Sequence, residues 1–382
     1  MTHDECIEVA RGLAPLLTDR AREAEIARQP LDEVIEAVRA SGLFSMMVPK
    51  QYGGYELDVD TFFEVVLILS AADPAMGWII GFYIEHAFWL AAFPDEVQDE
   101  VYGDADHVLA PVALNIAGGT ATPVDGGYKV TGRWSWGTGI VHSTWVVAGC
   151  MAMDAAGGAS PMMFLLPRHD VDAIDTWHIA GMCGTGSQDF AIDDVFVPTN
   201  RAVSFLALLD GSSGMTDRYD APLYSMPLIP ILSFAAGLPC LGAARSACAA
   251  FADQVKSKIE ATGAVKGEGN FSRIAEASLS IDTAELLMRD VLADMMLRRG
   301  DASTEERSTW ASKVTHAVFM CRDATQTIAS LVGASGAMLD NPIQRCARDV
   351  STASNHVIFE RESRYGDYAR QLFGQPTTNQ IV

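Results

Sequence analysis

Positive charge is scarce in this sequence. The 382-residue chain has 27 Lys and Arg against 49 Asp and Glu, which gives a formal net charge of −22. Binding to nucleic-acid phosphates or to an anionic membrane surface requires clustered Lys and Arg, and this composition does not supply them. We therefore expect neither nucleic acid nor membrane as a partner, and the acidic surface favours solubility.

Paired cysteine motifs are also missing. The seven cysteines are scattered at positions 6, 150, 183, 240, 248, 321 and 346, without a Cys-x-x-Cys pair. This spacing indicates neither a disulfide framework nor a metal site, and it favours a reducing cytoplasm. The first residues, MTHDECIEVARGLAPLL, lack a basic segment followed by an apolar one, so we expect no signal peptide.

Long uninterrupted apolar runs are the third absence. The run 77–93 carries Glu85 and His86 in its middle, and the run 227–244 contains Pro230 and Pro239, which we expect to break it. No transmembrane helix is predicted. A hydrophobic fraction of 49% over this length instead predicts an ordered protein with two or three packed subdomains.

Three segments with different periodicity divide the chain. Residues 1–106 show helical spacing, with Asp60 or Thr61 as a candidate cap and a new start at Asp73-Pro74, after which one helix face carries Trp78, Phe82, His86, Trp89 and Phe93. Residues 107–215 alternate with period two, as in a β-sandwich or small barrel. Residues 216–382 hold four long helical windows: Leu241–Ala261, Arg273–Arg298, Thr304–Leu331 and Asn341–Tyr368. We predict an α+β protein with an N-terminal helical domain, a middle β-domain and a C-terminal four-helix bundle.

The stretch GRWSWGTGIVHSTW, residues 132–145, concentrates tryptophans, hydroxyls and glycines. It follows a hairpin signal at Asp125-Gly126-Gly127, so it reads as a strand that ends in a loop. Tryptophan rings can stack on a flat heterocycle, glycines allow close backbone approach, and the Thr138 hydroxyl can meet a ring nitrogen. A β-core filled by tryptophans fits the same residues.

Other candidate positions carry weaker signals. His86 suits either a satisfied core histidine or a pocket for a flat substrate. The segment IAGMCGTGSQD, residues 179–189, has glycines and hydroxyls that could offer N–H groups to a phosphate or a ring edge. It lacks the spacing of a dinucleotide fingerprint and the lysine of a P-loop. His356 could equally be a surface or core histidine.

Several longer motifs point to a family: VPKQYGG, GGYKVTGRWSWGTGIVHSTW, MCGTGSQDFAIDDVFVP, APLYSMP and GASGAMLDNPIQRCARDVSTASNH. Together with the order α, β, α-bundle, they make the chain resemble the acyl-CoA dehydrogenase superfamily over nearly its whole length. Within that superfamily it resembles the group D two-component flavin-dependent monooxygenases that hydroxylate phenols and related rings. The resemblance implies the acyl-CoA dehydrogenase fold, a homotetramer, and an oxygenase component that uses O₂ and FMNH₂ or FADH₂ from an NAD(P)H-dependent flavin reductase.

The resemblance also implies roles for particular residues. It places Trp136 as an aromatic wall and the Thr138 hydroxyl beside the flavin N5, and His86 and His356 near the substrate and the oxygenated flavin. The remaining positions are Gly139, Gly184, Thr185 and Ser187 in the flavin site, and Trp89 and Tyr224 beside a small phenolic or indole-like substrate. A hydroxyl at N5 and a dry aromatic pocket would protect a C4a-hydroperoxide from losing H₂O₂, while the histidines would do acid–base work.

Two alternatives stay open. An FAD-dependent acyl-CoA dehydrogenase needs a carboxylate base, but the expected position falls near Val357, and Glu360 lies about one helical turn further on. The Arg-x-x-Phe-Gly element that helps dehydrogenases hold FAD is replaced by KGEGNFSRIAEA, residues 266–277. The second alternative is a non-catalytic family member that serves as a scaffold or an acyl-CoA binder.

Overall fold

Helices form the first hundred residues. In a computed structural model that describes residues 1–103, 105–153, 158–263, 270–379 and 381–382, these helices are α1 (His3–Ala27), α2 (Asp32–Ser41), α3 (Val59–Ala72), α4 (Pro74–Leu90) and α5 (Asp95–Tyr102). Every residue of α4 is buried, because α3 and α8 pack against it. A helix that is apolar all round belongs in a protein core, so the aromatic stripe of α4 lies inside the molecule.

The starts of α3 and α4 follow ordinary capping chemistry. The Asp58 side chain accepts a hydrogen bond from the Val59 N–H at 2.9 Å, so the prediction of Asp60 or Thr61 as the cap is wrong. A capping oxygen must precede the first helical residue, and Asp58 does. The predicted start at Asp73 is confirmed: its carboxylate accepts from the Ala75 N–H at 3.1 Å, and Pro74 occupies the first helical position.

One sheet of eight strands forms the middle of the chain. The strands are β1 (Val112–Ala113), β2 (Gly119–Val124), β3 (Gly127–Trp134), β4 (Trp145–Met153), β5 (Ala159–Pro167), β6 (Asp172–Ile174), β7 (Asp189–Pro198) and β8 (Ala202–Ser204). Their order is β6-β7-β3-β2-β4-β5-β8, with β1 beside β4. The predicted hairpin is confirmed, since Val124 pairs with Gly127 across a two-residue turn in which Gly126 has φ 76°.

The pairing of β3 with β7 positions the site. These strands are antiparallel, and Trp134 at the end of β3 lies opposite Phe190 near the start of β7. The loop that leaves β3 and the turn that enters β7 therefore emerge side by side. Two segments separated by about fifty residues in the sequence meet at this edge of the sheet.

The C-terminal region is helical: α6 (Phe205–Asp210), α7 (Met215–Arg218), α8 (Leu228–Thr262), α9 (Phe271–Arg298), α10 (Thr304–Leu331), α11 (Pro342–Ala353) and α12 (Arg361–Leu372). The fourth predicted window is wrong as a single helix, because α11 and α12 are separated by a short 3-10 turn at Val357–Phe359. The His356 and Glu360 side chains accept hydrogen bonds from the backbone N–H groups that follow them. Such side-chain acceptors start new helices and interrupt the old one.

Helix α8 corrects the expected break at two prolines. Pro230 lies in its first turn, where no intrahelical donor is needed, and Pro239 lies inside a helix that continues to Thr262. Among the described residues, α8 is the helix whose length and apolar composition would allow it to cross a membrane. Yet 94% of its most apolar stretch is buried inside the protein. It is the central helix of the C-terminal core. The limits of the three predicted domains, 1–106, 107–215 and 216–382, stay predictions.

Candidate functional site

The candidate site lies where four segments meet: α4, the loop after β3, the turn before β7, and the break between α11 and α12. A chain of hydroxyl groups joins two of them. The Thr138 Oγ1 lies 3.0 Å from the Ser187 Oγ, which lies 2.8 Å from the Thr185 Oγ1, and Thr185 donates to the Met182 carbonyl at 2.9 Å. Thr185 and Ser187 are buried.

The direction of this hydroxyl chain follows from counting hydrogens. Thr185 spends its one hydrogen on the Met182 carbonyl, so it accepts from Ser187, and Ser187 in turn accepts from Thr138. The Trp78 Nε1–H, which can only donate, lies 3.2 Å from the Thr138 Oγ1. Thr138 therefore donates to Ser187, accepts from Trp78, and keeps one lone pair for a further donor.

Trp136 adjoins this hydroxyl. Its backbone has φ 67°, in the left-handed region that non-glycine residues rarely occupy, and its side chain is 67% exposed. The Gly137 N–H donates to the Gln188 carbonyl at 2.8 Å and ties this loop to the turn before β7. An uncovered indole ring two residues from an acceptor hydroxyl fits a flat, partly polar heterocycle such as a flavin ring.

Aromatic rings continue from Thr138 along α4. The Trp78 and Phe82 ring centroids are 4.9 Å apart, and Phe82 meets His86 edge-on at 5.4 Å. Trp78 and Phe82 were not singled out as site residues by the sequence. Their spacing of four residues, repeated at His86, was the signal that could have found them, because residues i, i+4 and i+8 share one helix face.

His86 is held in one tautomer. Its Nδ1 lies 2.6 Å from the Ala110 carbonyl oxygen, which can only accept, so the ring proton sits on Nδ1 and Nε2 carries a lone pair. Burial lowers the pKa of His86 to about 3, against which the hydrogen bond to Ala110 acts only weakly. At neutral pH the ring is uncharged, and its Nε2 can accept a proton or a hydrogen bond.

His356 is held in the opposite tautomer. Its Nδ1 accepts from the Ile358 N–H at 3.3 Å, so in the neutral ring the proton sits on Nε2. Its ring lies edge-on to Trp78 at 5.6 Å and 6.4 Å from Phe82. The side chain keeps some exposure, and the surrounding protein lowers the pKa of His356 to about 4 by desolvation. The two histidines therefore offer an acceptor nitrogen and a donor nitrogen, and both rings lie within 6.4 Å of the Phe82 ring.

The two candidate glycines serve close packing in the described structure. A Cβ on Gly139, which has φ 84°, would lie 2.6 Å from atoms of the Tyr83 ring, and the Tyr83 hydroxyl donates to the Gly139 carbonyl. A Cβ on Gly184 would lie 3.3 Å from the Ala24 Cβ and 3.4 Å from the Ala75 Cβ. Both glycines fix loops of the site against helices of the N-terminal region.

The two residues predicted beside the substrate lie in different surroundings. Trp89 is buried and donates from Nε1 to the Glu85 Oε1 at 2.6 Å, which links it to the helix position next to His86. Tyr224 stacks on Phe88, with ring centroids 6.2 Å apart, and packs against Tyr219 at 4.4 Å with the rings tilted by 34°. Within the described part of the chain, the ring contacts of Tyr224 include neither histidine of the site.

Glu360, the carboxylate that a dehydrogenase would need, faces away from the site. It is exposed, and its two oxygens accept hydrogen bonds from the Glu362 and Ser363 N–H groups at 3.2 and 2.7 Å, which caps α12. His356, rather than a carboxylate, contacts the aromatic stripe. In the segment that stands in place of the Arg-x-x-Phe-Gly element, residues 266–269 lie outside the described residues.

Asp349 holds the turn before β7 in place, and the sequence did not identify it as a site residue. This buried residue of α11 accepts a hydrogen bond from the Met182 N–H at 2.5 Å, at a backbone position with φ 57°. Burial raises the pKa of Asp349 to about 7. The neighbouring Arg348 donates to the Ala180 carbonyl at 2.6 Å and to Glu25 at 2.5 Å. The Arg-Asp pair thus fixes the turn that carries Thr185 and Ser187.

Known proteins resemble this chain over its whole length. The chain matches the family models for the acyl-CoA dehydrogenase N-terminal domain over residues 6–103 and C-terminal domain over residues 234–361. A pigment production hydroxylase of Rhodococcus sp. is 31% identical, over 100% of both chains. The oxygenase component of a FADH₂-dependent resorcinol hydroxylase of Rhizobium sp. is 32% identical, over 93% of this chain and 90% of that protein.

Solved structures show the same fold. The 3-HSA hydroxylase from Rhodococcus sp. RHA1 superposes with a TM-score of 0.94 at 30% identity, over 99% of each chain. XiaF from Streptomyces sp., in complex with FADH₂ and glycerol, gives a TM-score of 0.91 at 28% identity, over 99% of this chain and 97% of its own. These findings confirm the predicted fold, with its helical, sheet and helical regions. The chain belongs to the acyl-CoA dehydrogenase superfamily and, within it, to the flavin-dependent monooxygenases that act as oxygenase components.

Proposed function

We propose that this protein hydroxylates a small phenolic or indole-like compound, and that Thr138, Trp136, His86 and His356 form its active site. The observation that carries the proposal is the opposed pair of histidine tautomers beside the aromatic stripe of α4. One neutral ring accepts a hydrogen bond from the substrate, and the other donates one. A dehydrogenase would instead need an accessible carboxylate base, and Glu360 is occupied as a helix cap.

Thr138, Trp136 and the hydroxyl chain behind them are the residues that would hold the flavin. Reduced flavin, when bound, activates O₂ so that one oxygen atom can be transferred to an electron-rich ring. Reduced flavin carries a hydrogen at N5. The Thr138 hydroxyl, through its free lone pair, would accept a hydrogen bond from that N–H, and Trp136 would cover the flavin ring. Thr185 and Ser187 fix the direction of the Thr138 hydroxyl. The cofactor is FMNH₂ or FADH₂, supplied by an NAD(P)H-dependent flavin reductase.

The substrate would extend along α4 from Thr138 towards His86. Trp78, which contacts Thr138, and His86 are eight residues apart on one helix, so about 12 Å of helix axis separate the two levels. That length suits one or two fused rings beyond the flavin edge. Trp78 and Phe82 supply flat apolar walls that exclude water, and His86 Nε2 accepts a hydrogen bond from a ring hydroxyl or ring N–H. Trp89 would contribute to the substrate site through its hydrogen bond to Glu85. Tyr224 would contribute through the aromatic rings packed around it, Phe88 and Tyr219.

Assembly and location complete the proposal. Leu279, Leu286 and Leu297 share one face of α9 and are 65%, 68% and 79% exposed, which suits an interface between copies in a homotetramer. All seven cysteines are free, which suits a cytoplasmic protein.

The test uses the purified protein with anaerobically reduced FMN or FAD, mixed with oxygenated buffer and a panel of phenols and indoles. We expect a hydroxylated product from at least one ring class, with little H₂O₂. His356→Gln should increase the H₂O₂ released per flavin oxidised, and His86→Gln should slow hydroxylation of phenols, each by about a hundredfold at most.

Three results would contradict the proposal. Anaerobic reduction of bound FAD by an acyl-CoA would favour a dehydrogenase. Unchanged product yield and H₂O₂ release in both histidine variants would remove the assigned roles. Failure to bind flavin in either redox state would favour a non-catalytic scaffold.

A further inference from the structure

A buried carboxyl group lies beside His86. The Glu85 side chain is wholly buried; its Oε1 accepts from the Trp89 Nε1–H at 2.6 Å, and its Oε2 has no hydrogen-bond partner among the described residues. That Oε2 lies 3.5 Å from the His86 Nε2, too far for a hydrogen bond and close enough to form one after a small movement of either side chain. The lone pair of His86 Nε2 and an unpaired carboxyl oxygen thus face a shared gap.

The charge state of this pair follows from its surroundings. Burial raises the pKa of Glu85 to about 8, and the hydrogen bond from Trp89 only partly opposes that effect. Burial likewise lowers the pKa of His86 to about 3. At neutral pH the pair therefore holds a protonated carboxyl group beside a neutral imidazole. An unpaired polar atom in such a place is destabilising, and a ligand or a small movement of the side chains can give it a partner.

We propose that Glu85 is a positioning residue that shares its proton with His86, so that the pair can bind a ring oxygen either as a hydroxyl or as an anion. This inference rests on the proposed function. With a neutral phenol, His86 Nε2 stays unprotonated and accepts a hydrogen bond from the hydroxyl group. With a phenolate or carbonyl oxygen, the O–H bond of Glu85 Oε2 breaks and an N–H bond forms at His86 Nε2. The result is a carboxylate beside an imidazolium, with no net gain or loss of protons.

The shared proton matters because hydroxylation changes the ring oxygen. A phenol attacked at its ring carbon passes through a dienone, in which the former hydroxyl is a carbonyl oxygen that needs a donor rather than an acceptor. His86 alone can accept from the hydroxyl form, but it has no hydrogen on Nε2 to donate to the second, carbonyl form, because its lowered pKa disfavours keeping the substrate's own proton. The Glu85–His86 pair supplies the second form from its own proton. It therefore favours rings that carry a hydroxyl over rings that carry only an ether or a methyl group.

The test measures ligand binding without turnover. The probe is 4-nitrophenol, whose phenolate and phenol absorb differently, and 4-nitroanisole is the matched ligand that cannot ionise. Glu85→Gln keeps the volume and the acceptor for Trp89 but has no acidic proton. We expect this variant to raise the apparent pKa of bound 4-nitrophenol by about one unit, a tenfold loss of phenolate, while the affinity for 4-nitroanisole stays within twofold. Trp89→Phe, which keeps the carboxyl group, should change the phenolate fraction less.

An infrared readout is independent of both ligands. The wild-type protein should show the C=O band of a protonated buried carboxyl group, which Glu85→Gln removes and which 4-nitrophenol binding weakens. Three results would overturn the proposal that Glu85 shares its proton with His86. They are absence of that band from the wild-type protein, equal phenolate fractions in the wild type and Glu85→Gln, and an equal loss of affinity for both ligands in the variant. If the wild-type protein shows the band but binds neither ligand, the proposed function fails at the level of substrate class while the resting state of the pair stands.

Discussion

Thr138 illustrates how a single side chain acquires a direction. Its hydroxyl accepts from Trp78 and donates towards Ser187, and the order of donors is fixed by the Met182 carbonyl at the far end of the chain. Because every hydrogen in this chain is assigned, Thr138 can offer a bound ring only a lone pair, and Ser187 and Thr185 lie buried behind it. Towards a bound ring, Thr138 therefore acts as a hydrogen-bond acceptor, and its methyl group restricts the rotation of the side chain.

Removal of that acceptor gives a prediction at the scale of one residue. We expect Thr138→Val to release about tenfold more H₂O₂ per flavin oxidised, because a hydrogen bond of about 1–1.5 kcal/mol is lost while the shape is kept. The measurement is the ratio of H₂O₂ to hydroxylated product after mixing reduced protein-bound flavin with O₂. Thr138→Ser restores the hydroxyl and should leave that ratio near the wild-type value. Equally raised leakage from both variants would mean that the hydroxyl group is not what suppresses H₂O₂ release.

The sequence identified some site residues more readily than others. The hydroxyls of Thr138, Thr185 and Ser187 were predicted together and lie in one hydrogen-bonded chain. Trp78 and Phe82 were seen on the stripe of α4 but were not assigned to the site, because an apolar ring at helical spacing fits an ordinary core equally well. Whether such a ring faces a ligand depends on which loops end beside it, and that is set by the sheet.

At the scale of elements, the break between α11 and α12 shapes the site. Helix α11 ends at Ala353, a 3-10 turn follows at Val357–Phe359, and α12 begins at Arg361. This change of direction places His356 against Trp78 and leaves Glu360 exposed to solvent. The helical pattern of the sequence runs through this break. Side-chain caps of this kind depend on local hydrogen bonds that apolar periodicity does not register.

Other elements were better specified. The hairpin between β2 and β3 was predictable because Asp-Gly in a two-residue turn supplies the positive φ that such a turn requires. The break expected at Pro239 was wrong, since the packing of α8 in the core outweighs one missing backbone hydrogen bond. The order of strands was not predictable, because it depends on pairing between segments far apart in the sequence.

The contact between α11 and the turn at Met182 gives a prediction for two elements together. We expect Asp349→Ala to weaken flavin binding and to lower the free energy of unfolding by about 1–3 kcal/mol, because it leaves the Met182 N–H without its acceptor. The measurements are the flavin Kd and denaturant unfolding. Asp349→Asn, which keeps an acceptor oxygen, should lose less in both. A flavin Kd that is unchanged in the alanine variant would separate the turn from cofactor binding.

At the scale of the whole molecule, the exposed face of α9 predicts self-association. Leu279, Leu286 and Leu297 lie at spacings of seven and eleven residues, which return to the same side of a helix. We expect Leu286→Glu to lower the molecular mass in solution from that of a tetramer to that of smaller species, as measured by sedimentation. The control is Glu276→Gln, an exposed change in the same helix that leaves the three leucines intact. A mass that is unchanged by Leu286→Glu would locate the interface elsewhere.

Buried titratable groups predict how the stability of the whole protein depends on pH. Burial raises the pKa of Asp73 to about 6, of Asp349 to about 7 and of Glu85 to about 8, so the folded state holds these protons more tightly than the unfolded state. Their stabilising contribution is present in full below the ordinary carboxyl pKa and is lost as the pH rises through these values. Burial lowers the pKa of His86 to about 3 and of His356 to about 4, so their contribution is present above the ordinary histidine pKa and is lost as the pH falls towards 3.

Glu85→Gln isolates one of these groups. The amide mimics the protonated acid at every pH, so the variant should gain stability relative to the wild type as the pH rises from about 4.5 to 8, by up to about 1.4 kcal/mol per pH unit. Above and below that window the difference should be constant. Denaturant unfolding at a series of pH values measures it, with the exposed Glu8→Gln as the control for loss of a charge. A difference that stays flat between pH 4.5 and 8 would mean that folding does not raise the pKa of Glu85, so that Glu85 would hold no proton beside His86 at neutral pH.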